Sequence, residues 1–98
     1  MQAWRIYCGQ RDRDGRLIDA RAIRRFLRHV VGTKFASFTI LRTAGVWQHT
    51  SEPSIVIEIL ASGATAARQV AEVASEYKRR FRQQAVLIVR STVQSTRM

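Results

Sequence analysis

The sequence predicts an α+β domain of the ferredoxin-like class, βαββαβ, with a four-stranded antiparallel sheet and two helices on one face. Three observations predict it. Strand-like apolar runs occupy residues 3–8, 35–43, 54–60 and 85–91. Helical periodicity occupies residues 19–31 and 64–81. The two kinds of segment alternate in the order that a split βαβ unit requires. At 98 residues the chain has room for one hydrophobic core. Residues 1–93 are expected to form a single domain and residues 94–98 a frayed tail.

In the first strand, Trp4, Ile6 and Cys8 share one face and Arg5 and Tyr7 the other. Gly9 ends it, and Asp14-Gly15 marks a turn in the charged loop that follows. Asp19 is placed to cap the first helix. Ile23, Phe26, Leu27, Val30 and Val31 then recur as one apolar stripe, and Gly32 is the expected stop. Phe38 and Ile40 alternate with Thr39 and Leu41 in the second strand. Residues 44–52 read as a hairpin connection longer than the common ones. Pro53 opens the third strand, with Ile55, Ile57 and Ile59 on one face and Val56, Glu58 and Leu60 on the other. In the second helix Ala67, Val70, Val73, Ala74, Tyr77 and Phe81 form the stripe. Arg68–Glu72 and Glu76–Arg80 are i,i+4 pairs, each stabilising by about 0.2–0.5 kcal/mol. Lys78, Arg79, Arg80 and Arg82 gather at its C-terminal end, where positive charge complements the helix dipole.

Both helices are expected on the face of Trp4, Ile6, Cys8, Phe38, Ile40, Ile55, Ile57, Ile59, Ala85, Leu87 and Val89. The opposite face then carries Tyr7, Leu41, Val56, Leu60, Val86 and Ile88, a set too apolar for ordinary solvation. This face is the expected interface, in a homodimer or with a protein partner. The indole of Trp47, in Gly45-x-Trp47, is expected to fold back over the edge of the core.

The formal net charge is +10, and 15 of the 17 basic residues are Arg. Arg binds phosphate and carboxylate in a planar fork, so a nucleic acid or an acidic protein is an expected class of partner. Arg21, Arg24, Arg25 and Arg28 have no acid four residues away and form the candidate anion-binding or nucleic-acid-binding surface. No apolar run approaches the roughly 18 residues of a membrane span. The N-terminus lacks the charged n-region of a secretory leader, and a lone Cys8 forms no internal disulfide. The expected location is the cytoplasm, away from membranes.

Catalytic motifs are sparse. Asp12-x-Asp14-Gly15 lacks the later ligands of a calcium loop, and His29 and His49 lack a spaced Cys/His set, so neither a metal nor a cofactor is expected. Cys8 faces the presumed core, and no Gly-x-Ser-x-Gly elbow is present. No residue is assigned as catalytic. His49, Glu52 and Glu58, with Arg42 to meet a phosphate, are the residue types of a metal-independent ribonuclease-like enzyme. Stacking of RNA on the open sheet would need aromatics on the first and third strands. Tyr7 fits that pattern; Val56 and Glu58 do not.

From residue 5 to about residue 90 the chain resembles a bacterial family of small ferredoxin-like domains of unknown function. The landmarks are Tyr7-Cys8-Gly9, Asp14-Gly15-Arg16, Phe26-Leu27, Phe38-Thr39-Ile40-Leu41, Gly45-Val46-Trp47 and Glu52-Pro53-Ser54-Ile55-Val56. Tyr77-Lys78-x-x-Phe81-x-Gln83-Gln84-Ala85-Val86-Leu87 completes the series. The resemblance implies the fold and brings no catalytic assignment. The leading expectation is a small basic non-catalytic interaction module, self-associating through its open sheet and binding a protein partner, with an inhibitor-like role as one option. Nucleic-acid binding through the Arg faces comes second, and the ribonuclease-like enzyme third.

Overall fold

Strands and helices follow one another as the hydrophobic periods dictate. In a computed structural model, which describes residues 1–98, β1 is Gln2–Gly9, α1 is Ala20–Phe26, β2 is Thr39–Trp47 and β3 is Thr50–Ala61. A short α2, Gly32–Lys34, lies between α1 and β2; α3 is Ala64–Arg80 and β4 is Leu87–Thr92. The sheet order is β2-β3-β1-β4, and every pairing is antiparallel. This is the ferredoxin-like α+β arrangement, with β1 central between β3 and β4.

The first helix starts where Asp19 Oδ1 accepts the N–H of Arg21 at 2.8 Å, one of the donors a helix start leaves free. It does not stop at Gly32. A π-helical turn, Leu27–Val31, joins α1 to α2, and the Gly32 N–H donates to Leu27 O. Gly32 is itself helical (φ −65°). The wider turn spaces Phe26 and Val31 by five residues, so that both are fully buried and Phe35 follows them into the core. The chain turns extended only at Phe35.

The connection between β2 and β3 also differs from expectation. Residues 44–47 and 50–52 are strand, and the loop is Gln48-His49 alone. Both turn residues have positive φ (49° and 64°), as a two-residue type I′ hairpin demands. Gly and Asn, the usual occupants, are absent, so the sequence carries no signal for the turn.

The core lies between the sheet and the helices. Trp4, Ile6, Cys8, Ile55, Ile57 and Ile59 supply the sheet side; Ile23, Phe26, Val70, Val73 and Tyr77 supply the helix side. The register of β4 corrects one expectation. Ile6 pairs with Ile88 and Trp4 with Arg90, so the even-numbered residues of β4 share the core face. Val86 and Ile88 pack against the core, whereas Leu87 is exposed. The run Val86-Leu87-Ile88-Val89 is apolar on both faces, and period two cannot choose between registers that differ by one residue.

This register makes opposite demands on neighbouring positions. Ile88→Glu should lower stability by about 2 kcal/mol or more, because it forces a charge against the core. Leu87→Glu, on the exposed face, should stay within about 0.5 kcal/mol. Thermal or urea unfolding of the two variants distinguishes them, and equal effects would contradict the register.

Candidate functional site at the end of the central strand

At the end of β1 the sheet meets α3 and the segment leading to β4. Gly9 pairs with Ser54, and its carbonyl accepts the Tyr77 hydroxyl at 2.7 Å. Tyr77 is held edge-on by Phe26 (centroids 5.2 Å apart, 78°) and tilted against Phe81 (4.7 Å). Each such aromatic pair contributes about 0.5–1.5 kcal/mol beyond its area burial. Burial pushes the Tyr77 phenol far above its usual pKa, helped by Cys8 and Glu52 nearby. It therefore remains a neutral hydrogen-bond donor.

Gly9 lies beneath two side-chain oxygens. A Cβ at this position would lie 2.8 Å from Glu52 Oε1 and 2.9 Å from Gln83 Oε1. Gln83 is buried, and its amide nitrogen donates to the carbonyls of Arg11 (2.9 Å) and Phe81 (3.2 Å). That fixes the amide so that its oxygen faces Gly9. Glu52 is half-buried. Of the seven acids in the chain, Asp14, Glu58, Glu72 and Glu76 sit in ion pairs, and Asp12 and Asp19 accept backbone N–H groups. Glu52 does neither. Two acceptor oxygens thus converge on one glycine with no donor between them. That arrangement suits a cation or a hydrogen-bond donor.

The surroundings are polar and aromatic. Thr43 Oγ1 and Ser54 Oγ lie 2.6 Å apart in the row beside Gly9. Trp47 does not cover the core edge as expected. It is half-exposed, and its indole N–H donates to Gln84 Oε1 at 3.2 Å, tying the β2–β3 hairpin to the chain entering β4. Tyr7, two residues before Gly9 on the same face, is 40% exposed.

The other residues singled out from the sequence are scattered. Glu58 is paired with Arg5 at 2.9 Å in the middle of the open face. It lies six residues from Glu52 on one strand, about 20 Å away, and His49 occupies the hairpin tip. The His49, Glu52 and Glu58 set is therefore not brought together. Arg21, Arg24, Arg25 and Arg28 are all exposed and enter no ion pair. Tyr7, Leu41 and Leu60 are exposed on the open face, Val56 is buried there between its neighbours, and Val86 and Ile88 are on the helix side. Cys8 is wholly buried, which pushes its thiol up to about 12. The Asp12 loop is a solvated turn. Its carboxylate accepts from Arg16 and Asp14 N–H, and those bonds hold it below the usual carboxylate range. No three His, Cys, Asp or Glu side chains come together as a metal would require, and no helix is long and apolar enough to cross a membrane.

A family model described as a protein of unknown function (DUF3574) matches residues 3–96. No curated protein matches the chain in sequence. Among solved structures, a phage SAM lyase in complex with S-methyl-5′-thioadenosine is similar over 92% of this chain and 79% of its own, with a TM-score of 0.77 and 16% identity. The apo form of a phage SAM lyase gives 0.65 and 19% over 92% and 78%. At3g17210 from Arabidopsis thaliana matches over the full length of both chains, with a TM-score of 0.59 and 12% identity. At these identities the likeness is one of fold. It nevertheless corrects the leading expectation: a fold shared over nine-tenths of the chain with an enzyme does not support a non-catalytic interaction module.

Burial of Cys8 has a consequence in alkali. Below pH about 9, the thiol is protonated whether the chain is folded or not. Between about 9 and 12 the unfolded chain releases that proton while the folded chain keeps it, so stability falls as pH rises through this window. Urea midpoints measured from pH 8 to pH 11 should show the fall. Cys8→Ala should remove the part of the fall between pH about 9 and 10 and leave the part above pH about 10 that the buried Tyr77 phenol contributes.

Proposed function

The chain belongs to the DUF3574 family, and we propose that it is an enzyme that binds a cationic sulfonium nucleoside, of the S-adenosylmethionine class, at Gly9. The observation that carries this reading is the unpaired carboxylate of Glu52 converging with Gln83 Oε1 over a glycine. In a chain of net charge +10, a half-buried acid without an Arg partner is an arrangement that attracts a substrate cation. The likeness of fold to a SAM lyase supports the choice of cation. The exposed ring of Trp47 supplies a flat surface for a purine and for cation–π contact.

The chemistry asks little of the protein. A sulfonium leaves as a neutral thioether, so no acid is needed to protonate the leaving group. Glu52 takes a proton from the carbon adjacent to the one bonded to sulfur. The C–H electron pair becomes a carbon–carbon double bond, the C–S pair departs on sulfur, and Glu52 passes its proton to water. Gln83 Oε1 orients the cationic substrate, and Tyr77 holds the backbone of Gly9 in place. We place the reaction in the cytoplasm, where the free thiol of Cys8 is at home.

Incubation of the protein with S-adenosylmethionine should release S-methyl-5′-thioadenosine, detected by chromatography and mass spectrometry. Glu52→Gln should reduce the rate by roughly 10²–10⁴-fold, the usual contribution of a general base. Gly9→Ala should block the site while leaving the far-UV spectrum native, because its Cβ displaces only the ends of two side chains. No thioether above the uncatalysed background, or full activity in Glu52→Gln, would refute the reading.

One specific observation favours a second reading, nucleic-acid binding. The acids of α3 engage Arg68, Arg79 and Arg80, whereas Arg21, Arg24, Arg25 and Arg28 have no acidic partner. Binding there should weaken with salt, with a log–log slope of roughly −0.7 to −0.9 per phosphate neutralised. Arg24→Glu with Arg28→Glu should abolish it in a filter-binding or anisotropy titration. Wild-type protein that binds neither DNA nor RNA at low salt would dispose of this reading.

A further inference from the structure

We propose that the open face of the sheet is an interface for a second copy of this chain, packed sheet against sheet about a two-fold axis with both helical layers turned outward. The face carries four large apolar side chains in the open: Tyr7, Leu41, Leu60 and Leu87, exposed by 40, 44, 50 and 61%. Leu41, Val56, Tyr7 and Leu87 form one apolar row across all four strands, and Leu60 stands on the other side of the Arg5–Glu58 pair. Contiguous apolar surface of this kind on a soluble chain marks a covered face.

Charge identifies the occupant. Arg5 and Glu58 face one another at the centre of the sheet, 2.9 Å apart, and their charges cancel. The unpaired Arg residues Arg21, Arg24, Arg25 and Arg28 lie on the first helix, in the layer on the other side of the sheet. Two chains of net charge +10 repel. That repulsion is weakest when the faces that carry no unpaired Arg meet and the helices are as far apart as the assembly permits. A polyanion would be drawn to the Arg residues instead, and an acidic partner would gain nothing from a face whose one Arg is already paired. A two-fold arrangement also suits the Arg5–Glu58 pair. The centre of the face presents one charge of each sign side by side, with Glu52 apart at the Gly9 end, so a copy turned by 180° can set Glu58 against Arg5 in both directions.

Light scattering during size exclusion should give twice the chain mass, and the dimer should persist or tighten as salt rises, because salt screens the repulsion between the two chains. Glu58→Arg places two positive charges of each chain on the face and should weaken self-association at least tenfold. The exchange Arg5→Glu with Glu58→Arg restores one charge of each sign and should restore the dimer. Leu41→Asp should give monomers with a native far-UV spectrum, and Arg24→Glu, on the helical layer, should leave the dimer intact. A wild-type protein that is monomeric at every concentration, or a dimer indifferent to both Leu41→Asp and Glu58→Arg, overturns the proposal.

Discussion

The hydrogen bond from Tyr77 to the carbonyl of Gly9 fastens the two layers of the molecule at the point where its chemistry is proposed. Everything around it depends on Tyr77 being where it is. The ring is clasped by Phe26 from the first helix and by Phe81 at the end of α3, so three aromatic side chains fix the spacing between helices and sheet. The hydroxyl at its tip meets the last residue of β1 and leaves the glycine's other side open to Glu52 and Gln83. A buried aromatic with one polar atom can do both tasks, because the ring belongs to the core and only the oxygen reaches its margin.

The same economy explains how much of the fold could be read in advance. Isoleucine alternation in Ile55, Ile57 and Ile59, the stripe through Val70, Val73 and Tyr77, and the cap at Asp19 each have one structural solution, and the structure adopts it. Three features had no such signature. The run from Val86 to Val89 is apolar at every position, so its faces are decided by pairing with β1 rather than by its own pattern. The hairpin turns through Gln48 and His49, residues that tolerate left-handed backbone without advertising it. The first helix passes through Gly32 because a π-helical turn carries it onward to Phe35, and nothing in the order of residues marks a five-residue spacing as intended.

The candidate site was half legible. Glu52 could be named as an acid of interest from its residue type, but its grouping with His49 and Glu58 assumed that nearness along a strand meant nearness in space. What sets Glu52 apart is that the other six acids are engaged and this one is not, which only coordinates reveal. Gly9 looked like punctuation at the end of a strand. Its role in the structure is to leave room, and Gln83 is noticeable only because its amide is bonded on one side and free on the other. The family landmarks quoted from the sequence, Tyr7-Cys8-Gly9, Glu52-Pro53-Ser54 and the run from Tyr77 through Gln83, meet at this one end of the sheet. The aromatic core and the polar end of the strand are therefore one construction.

The strand order has a further consequence for how the chain acquires its structure. β2 and β3 are neighbours in sequence and can pair as soon as both exist, on the microsecond scale of a hairpin. The central strand is different. β1 is made first, yet its partners are β3 on one side and β4 on the other, with Gln2 set against Thr92. During synthesis its apolar residues Trp4, Ile6 and Cys8 must wait for nearly the whole chain to follow, while both of its edges stay unpaired. Long-range closure of this kind slows folding relative to a hairpin-built sheet and lengthens the time in which a sticky strand is open to chaperones or to neighbouring nascent chains. The charged loop directly after that strand, where Arg11, Arg13 and Arg16 alternate with Asp12 and Asp14, gives it a hydrophilic flank during the wait.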